Sequence, residues 1–189
     1  IDVPWLVQQK VCNSTKPRFA RPIHHHVDAL NHTFHIVASA EQSFLQMQYE
    51  RAKFQRPPMT GRWMTITPCY RDEATIDDQH RIGFVKLELI DWDNTTAENL
   101  HDIVETAYDF FAHYLPVRVV SNDQTHELGQ DIQSVVEGIE LGSYGIRQTE
   151  IRSMQAKWIY ATGCAEPRLR YAIERTLDRC AESPVSSKD

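Results

Sequence analysis

Two stretches of period-two alternation constrain this chain more than anything else in it. RWMTITPCYR (62–71) sets Met64, Ile66 and Pro68 between polar neighbours, and FVKLELID (84–91) sets Val85, Leu87 and Leu89 against Phe84, Lys86, Glu88 and Ile90. Successive side chains leave a strand on opposite sides, so each stretch is a strand with two unlike faces. In the second, the Val85 face is expected to be core and the Phe84 face partly charged. Pro68 marks a strand end or a bulge. The polar run between the two stretches is short enough to fold them into a hairpin.

Helical periodicity surrounds this pair. Ser39-Ala40-Glu41-Gln42 fits a capping box, and Phe44, Leu45, Tyr49 and Ala52 recur at helical spacing until Arg56-Pro57-Pro58, which predicts a helix over about 40–54. A second capping box, Thr95 to Glu98, opens a helix striped with Leu100, Ile103, Val104, Ala107 and Phe111 that ends near Pro116. Val117 to Ser121 reads as a short strand, SNDQTHELGQD (121–131) as a loop, and VVEGIELGSYGI (135–146) as one or two strands. Lys157 to Ala161 is another strand. Pro167 stands near the first turn of a helix carrying Leu169, Ile173, Leu177 and Cys180. Three helices among strands joined by hairpin-scale loops predict an α+β domain, an antiparallel β-sheet with helices packed on one face.

A length of 189 residues suits one domain, which buries roughly 70% of the surface its unfolded chain exposes. Residues 1–180 are assigned to it, and 181–189 to a flexible tail. A net charge of -6 argues against loose adhesion to nucleic acid or anionic membrane, which needs a positive surface. No apolar run is long enough to span a bilayer, and a cytoplasmic location is expected. Cys12, Cys69, Cys164 and Cys180 are far apart and form no C-x-x-C pair, so buried free thiols are expected rather than a disulfide framework or zinc ribbon. His24-His25-His26 invites a metal reading, but consecutive residues splay apart and no ligand recurs at zinc spacing.

Three polar constellations remain, each with two readings. Arg71 and Glu73 share one strand face, as do Phe84 and Glu88, so with His80 a hairpin gathers a guanidinium, carboxylates and an aromatic plane. A guanidinium fork grips phosphate oxygens and a ring stacks on a purine; a solvated hairpin with an exposed ion pair is the other reading. Glu140 and Ser143, beside glycines, offer oxygen ligands for a hard cation such as Mg²⁺, or belong to a glycine-kinked strand with a solvated Glu. Ala161 to Arg168 passes through small residues into a helix, where an arginine in the first turn can meet an anion beside backbone N–H groups; a tight strand-to-helix turn explains the small residues equally well. There is no GxGxxG, no GxxxxGK[ST], and no serine in a nucleophile elbow.

In order along the chain, these constellations resemble the catalytic core of a class II aminoacyl-tRNA synthetase. CYRDE with HRIGF resembles that family's second motif, ATGCAEPR its third, IELGS the Glu-x-x-Ser between them, and Val3-Pro4 the tail of the first. PCYRDE, TTAENLHDIVETAYDFF and WIYATGCAEPRL most resemble the pyrrolysyl and phosphoseryl branch; ELGSYGIR is also similar to the ammonia-dependent asparagine synthetase. The third motif departs from the family pattern, with Gly163 present but Ala161 and Ala165 where glycines are usual.

The resemblance implies a ligase that activates an amino acid with ATP, as an aminoacyl-adenylate with release of pyrophosphate, and passes it to an acceptor such as tRNA. An amide-forming ligase and a silent paralogue with a binding role are the alternatives. It implies Arg71 as the clamp on α-phosphate and carboxylate, Glu73 at the adenine amine, Phe84 stacking on adenine, Arg168 on the other side and at the γ-phosphate, and His80 near the β- and γ-phosphates. Glu140 and Ser143 would hold Mg²⁺; Gln46, Glu88 and Trp92 are candidates for the amino-acid pocket. A homodimer is implied as well.

Overall fold

The chain runs β1 (Leu6–Gln8), α1 (Gln9–Thr15), β2 (His25–Val27), β3 (Thr33–Ile36), α2 (Ala40–Lys53), β4 (Arg62–Tyr70) and β5 (Gly83–Asp91). It continues through α3 (Ala97–Ala112), β6 (Val117–Ser121), β7 (Leu128–Ser134), β8 (Glu140–Ile151), β9 (Met154–Glu166) and α4 (Arg168–Glu182). The structure, a computed structural model, describes residues 1–15, 25–27, 32–122 and 128–182, with backbone alone at 25–27, 164 and 165.

Six strands make one antiparallel sheet in the order β4-β5-β9-β8-β7-β6. The two alternating stretches are its first pair, in register from Arg62 opposite Asp91 to Tyr70 opposite Gly83. A small sheet, β1-β3-β2, lies apart from it. Each half of the core has its own helices. On the front face Phe44 and Leu45 of α2 pack with Ile90, Trp158 and Tyr160. On the back face Leu100, Ile103 and Val104 of α3 and Ala172 of α4 pack with Ile132, Leu141, Ile159 and Ala161.

Helices therefore cover both faces, which corrects the one-faced packing expected from sequence and inverts the expected burial of β5. Its alternation is as predicted, but Glu88 and Ile90 are 2% and 1% exposed beneath α2, while Val85 and Leu87 are 44% and 42% exposed. The back helices reach only the far end of that strand, where Leu89 packs on them and Asp91 accepts from Asn99 of α3. Val85 and Leu87 continue instead into an exposed apolar strip with Met64 and Ile66 of β4.

Three further corrections concern boundaries. A short fourth helix, α1, was not foreseen. Residues 128–131, expected as loop, begin strand β7; 123–127 lie outside the described residues. The cap of α3 is Thr96, whose hydroxyl accepts from Asn99 N at 3.2 Å, one residue beyond the expected Thr95. The cap of α2 is Ser39, as predicted. Cys12 and Cys69 are buried free thiols as expected, but Cys180 is exposed. His24 and residues 183–189 lie outside the described residues, while 181 and 182, expected in the tail, end α4. No helix among the described residues is long and apolar enough to cross a membrane.

Candidate functional site

Register assembles the site. Thr65, Glu88, Thr162, Ser143 and Asp131 lie opposite one another across β4, β5, β9, β8 and β7, so their side chains share the front face. Stepping two residues along β5 from Glu88 brings Lys86 and then Phe84 onto the same face, towards the β4–β5 turn. There the front face is open, and a cleft is lined by Arg71, Glu73, His80, Phe84 and Lys86 from the hairpin and by Glu140, Thr162 and Arg168 from the rest of the sheet and α4. Its cavity volume is only about 30 Å³, so a ligand here keeps one side in solvent.

A bulge delivers Glu140. Gln133 of β7 pairs with Glu140 although Ile132 pairs with Gly142, leaving Leu141 as the extra residue. Leu141 then points into the back core and Glu140 takes the front-face position that regular alternation would give to its neighbour. Arg168, the first residue of α4, meets Glu140 across the cleft at 3.1 Å. Arg71 lies over the Phe84 ring, 5.2 Å from its centroid.

His80 is held by its own turn. Asp77 Oδ1 accepts from Gln79 N at 2.8 Å and His80 N at 2.7 Å, and lies 2.8 Å from His80 Nδ1. The Gln79 amide and the His80 ring hold the Asp77 carboxyl below its ordinary value. Arg71, Arg81, Lys86, Arg168 and His80 face Glu73 and Glu140 in the cleft, a balance of charge that suits a polyanion.

Six of the ten residues assigned from sequence thus line the cleft, and Ser143 lies beside it, opposite Thr162. The other three serve elsewhere. Glu88 closes the N-terminus of α2: its oxygens accept from Ser39 Oγ at 2.8 and 2.7 Å, Ala40 N at 2.8 Å and Glu41 N at 2.9 Å. Gln46 ties α2 to the chain start, accepting from Gln8 N at 2.9 Å and donating to Glu50 at 2.9 Å. Trp92 packs on Trp158 in the front core, ring centroids 5.8 Å apart.

Two residues were missed. Lys86 lines the cleft with its ammonium 3.5 Å from Glu88 Oε1; its place in the alternation beside Phe84 was the available signal. Asp131 lay in a segment expected to be loop. Its carboxylate accepts from Asn122 Nδ2 at 3.1 and 3.0 Å and bonds the Ser143 side chain, and burial, with the nearby Glu140 charge, raises its pKa.

Glu140, Ser143 and Asp131 offer two carboxylates and a hydroxyl, the hard oxygen donors that Mg²⁺ prefers. No group of three or more His, Cys, Asp or Glu side chains suited to a metal occurs among the described residues. A Mg²⁺ ion fits here if water and phosphate oxygens complete its shell, which is how it is commonly held.

One departure in the third motif has a structural answer: Ala161 belongs to the back core, away from the cleft, while the Ala165 side chain lies outside the described residues. A Cβ added at Gly163 would meet only Phe111 Cζ at 3.7 Å, an ordinary contact on that same side. Gly142 is where a side chain cannot fit, since its Cβ would collide with the Tyr144 hydroxyl and Thr162 O, the latter at 2.7 Å.

No model of a known protein family matches this sequence, and no curated protein does. Among solved structures, the chain is similar to PylSc, a pyrrolysyl-tRNA synthetase of Desulfitobacterium hafniense, with a TM-score of 0.64 and 17% identity over 93% of this chain and 63% of that one. It is similar also to prolyl-tRNA synthetase from Cryptosporidium parvum, solved with halofuginone and AMPPNP, at a TM-score of 0.64 and 12% identity over 92% of this chain and 41% of the other. The chain spans less than two thirds of either protein. At such identities the likeness is one of fold: an α+β fold matching the class II aminoacyl-tRNA synthetase catalytic domain.

Proposed function

We propose that this domain activates an amino acid with ATP, forming an aminoacyl-adenylate and pyrophosphate. The observation that carries this reading is the meeting of Arg71, Phe84, Glu140 and Arg168, drawn from three separate stretches of sequence, in one cleft on the open half of the sheet. The reaction needs no protein nucleophile, because the substrate carboxylate attacks the α-phosphorus itself. The protein's task is to align the two and neutralise charge on the phosphate oxygens.

Arg71 clamps the α-phosphate and the incoming carboxylate. The adenine stacks on the Phe84 face that Arg71 leaves open, and Glu73 accepts from its amine. Arg168 and His80 meet the outer phosphates. Lys86 adds a fixed cation at the inner end of the cleft, held in place by Glu88. Glu140 and Ser143, with Asp131 beside them, would hold Mg²⁺, which offsets charge on the leaving pyrophosphate. Arg168 gives up part of its pairing with Glu140 when both engage the nucleotide, so the ion pair of the free protein presets their positions. On the same reading the aminoacyl group passes to an acceptor such as tRNA, and a second copy of the chain is the partner.

The test is amino-acid-dependent exchange of label between pyrophosphate and ATP, screened over the natural amino acids. Exchange with one or a few of them is the expected result. Absence of exchange with all of them, in protein that is folded, would leave the silent paralogue as the better reading.

A further inference from the structure

The second substrate can be narrowed by following the front face inward from the cleft. On β5, Phe84 and Lys86 line the cleft, and the next two residues on that face, Glu88 and Ile90, are buried. On β9, Thr162 is the last residue in the cleft; Tyr160 and Trp158 behind it are buried. On β8, Ser143 has its side chain bonded to both Asp131 and Tyr160, and at Gly145 even a Cβ would meet the Tyr160 ring at 2.8 Å and Leu128 O at 2.7 Å. Space for a substrate therefore ends at the row formed by Glu88, Thr162 and Ser143.

The wall behind that row is pinned. Glu88 caps α2 through Ser39, Ala40 and Glu41. Glu41 in turn pairs with Arg147 and accepts from Trp158 Nε1 at 2.8 Å, while the Arg147 guanidinium lies 4.2 Å from the Tyr160 ring centroid. Lifting α2 to admit a long side chain would expose a buried ion pair and strip a helix of its cap, a cost that substrate binding would have to supply. At that row the cleft is lined by the Lys86 ammonium and Thr162, with Ser143 opposite Thr162, so the inner end offers polar groups that an apolar substituent would have to desolvate.

From this, and resting on the adenylate reading above, we infer that the substrate is an amino acid with a short, polar side chain, of serine or aspartate size. Tyr160, backed by the first turn of α2, sets the limit. Bulky and apolar amino acids are excluded although the fold is shared with a pyrrolysyl-tRNA synthetase.

The experiment measures affinity for a series of aminoacyl-sulfamoyl adenosines, stable adenylate mimics, carrying serine, aspartate, leucine, phenylalanine or lysine, with unacylated sulfamoyl adenosine as the control. The seryl or aspartyl compound should bind at least about tenfold tighter than the control, a step of the size that pocket fit commonly yields, and the leucyl, phenylalanyl and lysyl compounds no tighter than it. Tighter binding of a bulky compound than of the seryl and aspartyl ones overturns the inference, as does a control that binds while no aminoacyl group improves on it; in both cases the nucleotide site stands. If the control itself does not bind, the adenylate reading fails and this inference falls with it. Tyr160→Ala, with folding checked by circular dichroism, should shift the affinity ratio towards the leucyl compound, a change that loss of stability alone would not produce.

Discussion

Arg168 and Glu140 stand 28 residues apart in sequence and 3.1 Å apart across the cleft, one opening α4 and the other delivered by a bulge in β8. The pair joins the two motifs that sequence left separate; on the proposed reading its cation meets the outer phosphates and its carboxylate a hydrated metal.

Arg71→Ala should reduce pyrophosphate exchange by about 10²- to 10³-fold, the usual loss when one preorganised group facing developing charge is removed. Steady-state exchange at saturating ATP checks this, and wild-type exchange in the variant would remove Arg71 from the assigned role.

Phe84→Ala should weaken ATP binding by about 1–3 kcal/mol if stacking here matches base–aromatic stacking elsewhere. Phe84→Trp should restore most of the loss, because it keeps the plane. Titration calorimetry distinguishes the two variants.

Glu88→Ala should unfold the protein more readily, by about 1–3 kcal/mol, since it removes the acceptor of Ser39, Ala40 and Glu41 at the start of α2 and leaves the half-buried Lys86 without its partner. Urea denaturation provides the measurement. The effect separates Glu88 from the catalytic groups, whose loss should leave stability nearly unchanged.

Asp91 supplies a pH dependence. Burial pushes its carboxyl up, but hydrogen bonds from Asn94 N, Arg62, Asn99 and Asp93 N outweigh this and hold it below the ordinary 3.8. A carboxyl lowered on folding stabilises the native state at pH above its unfolded value, and that contribution is lost as pH falls through the folded value. Asp91→Asn should therefore cost about 1–3 kcal/mol at neutral pH, and the gap to the wild type should close on acidification below pH 3.8. A gap that is constant with pH would assign the loss to packing.

Local signals were legible and distant ones were not. The hairpin strands and the cap at Ser39 depend on neighbours in sequence, and they appear as read. The burial of Glu88 depends on α2, whose first residues are nearly 50 positions away, so a carboxylate that alternation placed on the ligand face proved to be a helix cap. Strand β7 went unseen because its ladder to β6 and β8 is backbone hydrogen bonding, which a polar segment with a glycine forms as well as an apolar one; Asp131 was missed with it. The cleft itself was legible because its groups sit at fixed offsets within strand ends and turns. Their meeting point required the register.

The most direct test of the central claim is a crystal structure of the protein with AMPPNP and Mg²⁺. The account predicts adenine on the Phe84 ring and phosphates bent between Arg71 and Arg168. Nucleotide bound at another surface, with this cleft filled only by water, would contradict it.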